Sequence, residues 1–171
     1  MRGVFAMEIF NGRFSGSLEG DFVVFLIGAR INRLSRAYRF LPVGRAMGKM
    51  QSELRAHPEL GCLHIENWFG RTTLSLQYWR SFEHLEAYSR SADLAHLPAW
   101  AEFNKTVRDN GEIGIWHETY LVKAGEYEAI YGNMHRFGLG GAGTHEVLGK
   151  GSTAALRSQR KLEDQAPIEG Y

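Results

Sequence analysis

The sequence has a single cysteine, four prolines, and positive and negative charges that nearly cancel. One thiol, Cys62, cannot form an internal disulfide or a cysteine-based metal site. It lies in an apolar run, so we expect a buried structural group. A net charge of +1 does not favour a highly charged partner, and no zinc-finger or RNA-binding motif is found, so nucleic-acid binding is not expected.

Long hydrophobic runs are also missing, and none approaches the roughly 20 residues that a membrane-spanning helix needs. The first ten residues lack the cleavage pattern of a secretory signal. From these absences we expect a cytoplasmic protein without a membrane partner. The 171 residues, 44% hydrophobic and 23% charged, are typical of a globular domain with a substantial core.

The chain does contain a series of segments that are typical of strands and of helices in turn. A dense β-branched and aromatic run from Phe22 to Asn32 predicts a strand that is covered on both faces. Apolar residues three and four apart between Pro42 and Ala56 predict a helix. Two strands joined by a two-residue turn at Gly70-Arg71, a helical region capped by Ser81 and a last strand over residues 113–122 are predicted to follow.

This order predicts an α+β fold of the ferredoxin-like βαββαβ type, with a four-stranded antiparallel sheet and two helices on one face. We expect this domain to span residues 21–143, between a loosely ordered N-terminal arm, residues 1–20, and a polar C-terminal tail, residues 144–171. The two helices leave one sheet face bare. Because a second copy of the chain would cover that face, a homodimer is expected.

The first group of candidate site residues lies in the second helical region. His96, Trp100 and Asn104 are four residues apart, so they share one face of a continuous helix. Near a helix N-terminus the dipole disfavours a charged imidazole, and a neutral His96 could accept a proton or ligate iron. The alternative is that His96 only caps an interrupted helix and Trp100 belongs to the core.

A second group lies on the strands. Alternation places His117 on one face of the last strand and Trp116 and Tyr120 on the other, and the pattern does not decide which face meets the helices. Arg30 and Asn32 end the first strand and begin a basic stretch. That stretch could hold a carboxylate, a phosphate or haem propionates, or it could be a solvated surface. A catalytic Ser-His-Asp motif and a dinucleotide fingerprint are absent, so an enzyme would work without a nucleotide cofactor.

Several segments, in one order along the chain, resemble a known family. They are residues 22–33 (FVVFLIGARINR), 77–81 (QYWRS), 96–100 (HLPAW), 114–120 (GIWHETY) and 127–134 (YEAIYGNM). Together they resemble the monooxygenase-like family named after a fumagillin-pathway polyketide monooxygenase. The wider group is that of the antibiotic biosynthesis monooxygenases and dimeric α+β barrel proteins.

The resemblance implies ferredoxin-like subunits whose sheets pair into a barrel, with one pocket per subunit between sheet and helices. Members of the wider group oxidise aromatic or polyketide substrates with O₂ and no cofactor, and others bind and degrade haem. By this resemblance His96 lies near the position at which haem-degrading relatives have their iron ligand.

The leading hypothesis is therefore an oxidoreductase, a monooxygenase-like enzyme that oxidises a small aromatic or polyketide-like molecule and requires no cofactor. His96 or His117 would take the proton. The substrate-binding candidates are Arg30, Asn32, Trp100, Asn104, Trp116 and Tyr120. One alternative is a haem b protein with His96 or His117 as iron ligand. A second alternative is a non-enzymatic domain that binds a small ligand.

Overall fold

The computed structural model describes residues 7–97, 101, 103–104 and 110–149. These residues form two compact units, one from residues 22–121 and one from residues 7–21 together with 122–149. The strands in the described part are β1 (Phe10–Ser17), β2 (Phe22–Ile31), β3 (Cys62–Trp68), β4 (Leu74–Trp79), β5 (Ile113–Val122), β6 (Tyr131–Met134) and β7 (Thr144–Val147). The two main helices are α1 (Phe40–Ala56) and α2 (Phe82–Arg90). No helix among the described residues has both the length and the apolar character needed to cross a bilayer.

The larger unit has the predicted ferredoxin-like order β2-α1-β3-β4-α2-β5. Its four strands lie side by side in the order β3-β4-β2-β5. β4 pairs antiparallel with both β2 and β3. The predicted α+β fold is therefore confirmed, with β4 and β2 as the two central strands.

Both helices of this unit begin close to where the sequence predicts. α1 begins at Phe40, two residues before Pro42, and follows a 3-10 segment, Leu34–Arg39. Proline is tolerated there because the first turn leaves its backbone nitrogen without a helical acceptor. α2 begins after Ser81, whose Oγ accepts the backbone N–H of His84 at 3.4 Å. Helical residues reappear at positions 96, 97, 101, 103 and 104.

The connection between β3 and β4 differs from the predicted two-residue turn. The last pair of the hairpin is Trp68 with Leu74, which leaves a longer loop. The residues before β4 pair instead with β2, where Thr73 donates its backbone N–H to Ala29 at 2.8 Å. A Cβ on Gly28 would lie 2.0 Å from the Thr73 carbonyl oxygen, so this close approach needs glycine. The prediction was wrong because it considered only local turn chemistry.

One face of the sheet carries the core of the larger unit. Along β4 the side chains of Ser75, Gln77 and Trp79 are buried, and those between them are only partly buried. Trp79 packs in a cluster with Val23, Leu54, Leu85 and Tyr88, from β2, α1 and α2. Trp79 and Val23 are the largest fully buried side chains among the described residues. The helices therefore cover the face on which the odd-numbered residues of β4 lie.

The strand β5 can now be assigned to its faces. The ring of His117 lies 5.7 Å from that of Phe25, which is on the helix-facing side. Gly28 is three residues from Phe25 on β2 and therefore belongs to the opposite face. A Cβ on Gly28 would lie 2.7 Å from the indole nitrogen of Trp116, so Trp116 lies on that opposite face. The question that alternation left open is thus answered: His117 is on the helix-facing side, and Trp116 and Tyr120 are on the opposite one.

The smaller unit is a three-stranded sheet in the order β6-β1-β7. Strand β1 pairs antiparallel with both neighbours, so residues 10–17 are not the loosely ordered arm that the sequence suggested. Local pattern missed it because both partners are more than a hundred residues away. β7 likewise lies within the segment predicted as a polar tail. The domain boundaries proposed from the sequence stay a prediction.

Candidate functional site: the cavity lined by His96

A cavity of about 40 Å³ lies between the helix-facing side of the sheet and helices α1 and α2. Most of its wall is apolar, formed by Phe25, Ile27, Met47, Met50, Leu54 and Leu85. A single water needs roughly 10–15 Å³ and a cavity that holds benzene measures roughly 150 Å³. The cavity therefore has room for water but admits an organic molecule only if its wall moves. The flexible Met47 and Met50 side chains are the part of the wall best suited to repack.

His96 brings an imidazole to this wall. Its Nδ1 lies 2.9 Å from the backbone carbonyl oxygen of Ser89, in the last turn of α2. Because a carbonyl oxygen can only accept, Nδ1 carries the proton and donates it. In the neutral ring Nε2 then has a lone pair, and no hydrogen-bond partner for it is found within the described part of the chain. His96 is thus held in the tautomer that can accept a proton at Nε2.

Glu53 of α1 fixes the segment that leads into His96. One of its carboxylate oxygens, Oε2, accepts the backbone N–H of Ala95 at 3.0 Å and the hydroxyl of Tyr88 at 2.9 Å. Burial, and then the hydrogen bond to Glu53, raise the pKa of Tyr88 above its ordinary value. The Tyr88 hydroxyl therefore stays protonated and remains a donor. Glu53 in this way ties α1 both to α2 and to the residue that precedes His96.

Gln77 is a further polar group on the cavity wall, and the sequence pattern did not reveal it. It is buried, with 4% of its surface exposed. The indole Nε1 of Trp79 donates to its Oε1 at 2.9 Å, and its Nε2 lies 3.4 Å from the Ser75 hydroxyl oxygen. The signal that could have found it is a glutamine inside a strand of apolar and aromatic residues, two positions before Trp79. Gln77 reaches the cavity only because its face of β4 is the one that meets the helices, and the sequence pattern does not identify that face.

A chain of buried polar side chains continues from Gln77 away from the cavity. Ser75 also accepts a hydrogen bond from Gln51 of α1 at 3.2 Å. Gln51 and Asn67 then exchange two amide hydrogen bonds, at 2.8 and 2.9 Å. These bonds satisfy polar groups that would otherwise be costly to bury.

Of the candidate residues predicted from the sequence, His96 lines the cavity and His117 lies beside it. His117 is exposed and contacts Phe25, which is part of the cavity wall. Asn104 is exposed. Trp100 lies outside the described residues.

The other predicted residues are not brought to this cavity. Trp116 and Tyr120 are on the opposite sheet face, where the Tyr120 hydroxyl donates to Glu118 at 2.6 Å. Arg30 donates to the Thr72 hydroxyl oxygen at 2.6 Å. Asn32 is exposed at the end of β2. Trp116 and Tyr120 were grouped with the histidines because the sequence pattern could not assign strand faces. Arg30 and Asn32 were included because they begin a basic stretch.

The basic stretch that follows β2 is partly engaged in ion pairs. Glu112 lies 3.1 Å from Arg39 and 3.6 Å from Arg36. The hydrogen bond with Tyr38 and the charge of Glu112 raise the pKa of Arg39. These two arginines therefore tie the 3-10 segment that follows β2 to Glu112, the residue before β5.

The comparison with known families identifies the chain's relatives. A family model described as Monooxygenase af470-like matches residues 22–139. The chain belongs to this family. A curated relative, Monooxygenase af470 of Aspergillus fumigatus, is 31% identical over 141 residues, which are 76% of this chain and 48% of that protein. The chain thus spans about half the length of this relative.

Two solved structures have a similar fold. A crystal structure of the aldoxime dehydratase OxdRE in complex with butyraldoxime matches with a TM-score of 0.59 and 18% identity, over 80% of this chain and 42% of that one. Another aldoxime dehydratase gives a TM-score of 0.59 and 19% identity, over 80% and 43% of the two chains. At these identities the likeness concerns the fold alone.

Proposed function

We propose that this chain is an oxidoreductase of the monooxygenase type that oxidises a small organic molecule in the cavity lined by His96. The observation that carries the proposal is the placement of His96, with its Nδ1 held by the Ser89 carbonyl, on the wall of a mostly apolar cavity. Membership of the Monooxygenase af470-like family supports the reaction class. An apolar pocket with few polar groups is typical of a site for a small molecule.

The substrate class that fits is an aromatic or polyketide-like ketone with an acidic CH₂ group. His96 Nε2 would take a proton from this CH₂, and the resulting carbanion would transfer electrons to O₂ as a carbon–oxygen bond forms. The peroxide O–O bond would then break, with loss of the second hydrogen. One oxygen atom remains as a new carbonyl and the other leaves as water. Since CH₂ and O₂ yield C=O and H₂O, neither an external reductant nor a cofactor is needed.

A homodimer is part of the proposal. The sheet face opposite the helices carries partly buried apolar side chains, among them Leu76, Tyr78 and Trp116. A second copy of the chain would remove these groups from water. Light scattering coupled to size-exclusion chromatography tests this point, and a mass of one chain across the accessible concentration range would contradict it.

Haem is the second candidate, and one observation favours it. A histidine whose Nδ1–H is held by a carbonyl and whose Nε2 is open has the arrangement common among metal-binding histidines. Haem would require a far larger movement of the cavity wall than a small organic molecule does, because 40 Å³ is far smaller than the haem macrocycle. The described residues therefore do not fit haem as they are arranged, and no step is assigned to it. If neither oxidation nor haem uptake is found, the remaining hypothesis is a non-enzymatic domain that binds a small ligand.

Oxygen uptake with anthrone, a ketone with an acidic CH₂, tests the proposed reaction. Wild-type protein should consume O₂ and form anthraquinone, and His96→Ala should lose activity by about 100-fold or more, as expected for a general base. His57→Ala is the matched control, since His57 is exposed and pairs only with Glu59 among the described residues. Equal activity of His96→Ala and wild type would refute the role of His96.

The absorption spectrum of the same preparations, with and without added haemin, separates the two candidates. A Soret band at roughly 400 nm that disappears in His96→Ala would assign the histidine to haem iron. A protein that takes up no haemin and still oxidises anthrone supports the reaction without a cofactor.

A further inference from the structure

We propose that Gln77 donates a hydrogen bond to the substrate oxygen and so selects apolar molecules that carry a carbonyl. This inference rests on the proposed function, because it takes the cavity lined by His96 as the substrate site. It adds a specificity-determining residue that the sequence pattern did not reveal, and it assigns the recognition of the ketone oxygen to that residue.

The orientation of the Gln77 amide follows from its neighbours. The indole N–H of Trp79 can only donate, so the amide atom 2.9 Å from it must be the oxygen. The amide nitrogen therefore lies on the other side, 3.4 Å from the Ser75 hydroxyl oxygen. Trp79 is itself the most buried side chain of the core, with 1% of its surface exposed. The direction of the amide is thus fixed by a rigid neighbour.

This orientation leaves one donor available. A glutamine amide has two N–H groups, and a single acceptor, Ser75, is found for them within the described part of the chain. Gln77 is buried and lines the cavity. A buried donor without an acceptor is costly, so the second N–H requires a water or a ligand oxygen. Among the cavity-lining groups described above, it is the donor that the fold leaves unsatisfied.

Gln77 and His96 approach the cavity from different elements, Gln77 from the sheet and His96 from the segment after α2. A ketone whose oxygen accepts from Gln77 would have its neighbouring CH₂ free to meet His96 Nε2. As that CH₂ loses its proton, charge accumulates on the oxygen, and a fixed donor stabilises it. A hydrocarbon of the same shape would leave the Gln77 donor unpaired. Discrimination should therefore depend on the oxygen and not on size.

The test uses cyclohexanone labelled with ¹³C at its carbonyl, with methylcyclohexane as the probe that lacks an oxygen. The key variant is the double substitution Gln77→Met and Trp79→Phe, which removes the amide together with the indole N–H that depends on it. We expect its dissociation constant for cyclohexanone to rise about tenfold, the loss of one hydrogen bond. Because Trp79 also lines the cavity, any change in methylcyclohexane binding reports the altered shape of the wall, and the ketone should lose about tenfold more affinity than this probe does.

The carbonyl stretching frequency of the bound ketone is the readout that a purely structural role would not move. It should be lower in wild type than in the double variant, because a hydrogen bond weakens the C=O bond. Gln51→Met is the matched control: it removes another buried amide of the same polar chain, one that does not line the cavity. Circular dichroism checks that each variant folds.

The outcomes separate this inference from the proposed function. If wild type binds neither probe, the cavity is not the substrate site and both proposals fail. If wild type binds the ketone but the double variant shows the same affinity and the same carbonyl frequency, only the role of Gln77 is refuted. A frequency shift in the double variant, absent in Gln51→Met, supports the donor.

Discussion

His96 and His145 each lie near an aromatic ring, one in each unit. They differ in the hydrogen-bond partners of their ring nitrogens. His96 has one nitrogen held by the Ser89 carbonyl and lies on the wall of a cavity. Both nitrogens of His145 are buried, and no partner for either is found among the described residues. Its ring stacks on Phe14 with centroids 4.5 Å apart and planes 1° from parallel.

The difference shows what turns an imidazole in apolar surroundings into a candidate site. His145 also lies against the rings of Phe10 and Tyr131, so it fills an aromatic cluster as a fourth ring would. Desolvation, and then the charge of Arg136, lower the pKa of His145. A nitrogen held by a backbone carbonyl and a place on a cavity wall distinguish His96 from His145, whereas aromatic neighbours alone do not.

Replacing each of the two histidines by alanine is the strongest test of this comparison. His96→Ala should abolish most oxidation of anthrone, by about 100-fold or more. His145→Ala should leave the turnover per folded molecule unchanged and lower the free energy of unfolding by about 1–3 kcal/mol, the loss of aromatic packing. Oxygen uptake and urea denaturation measure the two effects. A catalytic defect in His145→Ala of similar size would break the distinction.

Removing Glu53 should affect the His96 region through stability and geometry together. Glu53→Ala leaves the Tyr88 hydroxyl and the Ala95 N–H without their acceptor, so we expect a loss of about 1–3 kcal/mol in the free energy of unfolding. Glu59→Ala is the control, since Glu59 and His57 form an exposed pair whose loss should have little effect on stability. Urea denaturation compares them, and equal losses would contradict the anchoring role.

Acid should weaken the surroundings of His145. Since the pKa of His145 is lowered in the folded chain from its ordinary 6.5, the unfolded chain binds the proton more readily. The stabilising contribution is present above pH 6.5 and is lost as the pH falls toward the folded value. We expect wild type to lose more stability between pH 7 and about pH 5 than His145→Phe does. Urea denaturation of both proteins at the two pH values measures this, and identical pH profiles would count against it.

The smallest expected effect concerns the reactivity of the Cys62 thiol. Burial raises the pKa of Cys62 to about 12, so the reactive thiolate is scarce at pH 8. Iodoacetamide should modify the native protein slowly and the urea-unfolded protein readily, as followed by mass spectrometry. Rapid modification of the native chain would show that Cys62 is more accessible than its position on β3 indicates.

Much of the fold could be predicted because it follows from local signals. The stripe of α1, the Ser81 cap of α2 and the β-rich run of β2 depend on neighbouring residues, and their order defines the ferredoxin-like unit. The strands β1 and β7 could not be predicted in the same way. Their pairs, such as Ser17 with Thr144, join segments that are distant in the chain and rich in glycine and polar residues.

The site could be predicted only in part. His96 was found from its spacing near a helix start, which is a local property. The faces of β5 could not be assigned, since either choice satisfies the alternation, and so Trp116 and Tyr120 were grouped with the histidines. Gln77 was missed because its role depends on the register of β4 against β2, where it pairs with Phe25, and on the bond from Trp79.

The position of Glu53 on α1 has a mechanical consequence. Met47 and Met50, which would have to move to admit a substrate, belong to the same helix as the carboxylate that holds Ala95. A displacement of α1 that enlarges the cavity therefore pulls on the backbone next to His96. The entry of a molecule into the cavity and the placement of the His96 imidazole are in this way coupled, and a molecule too small to shift the helix would leave the imidazole in its resting position.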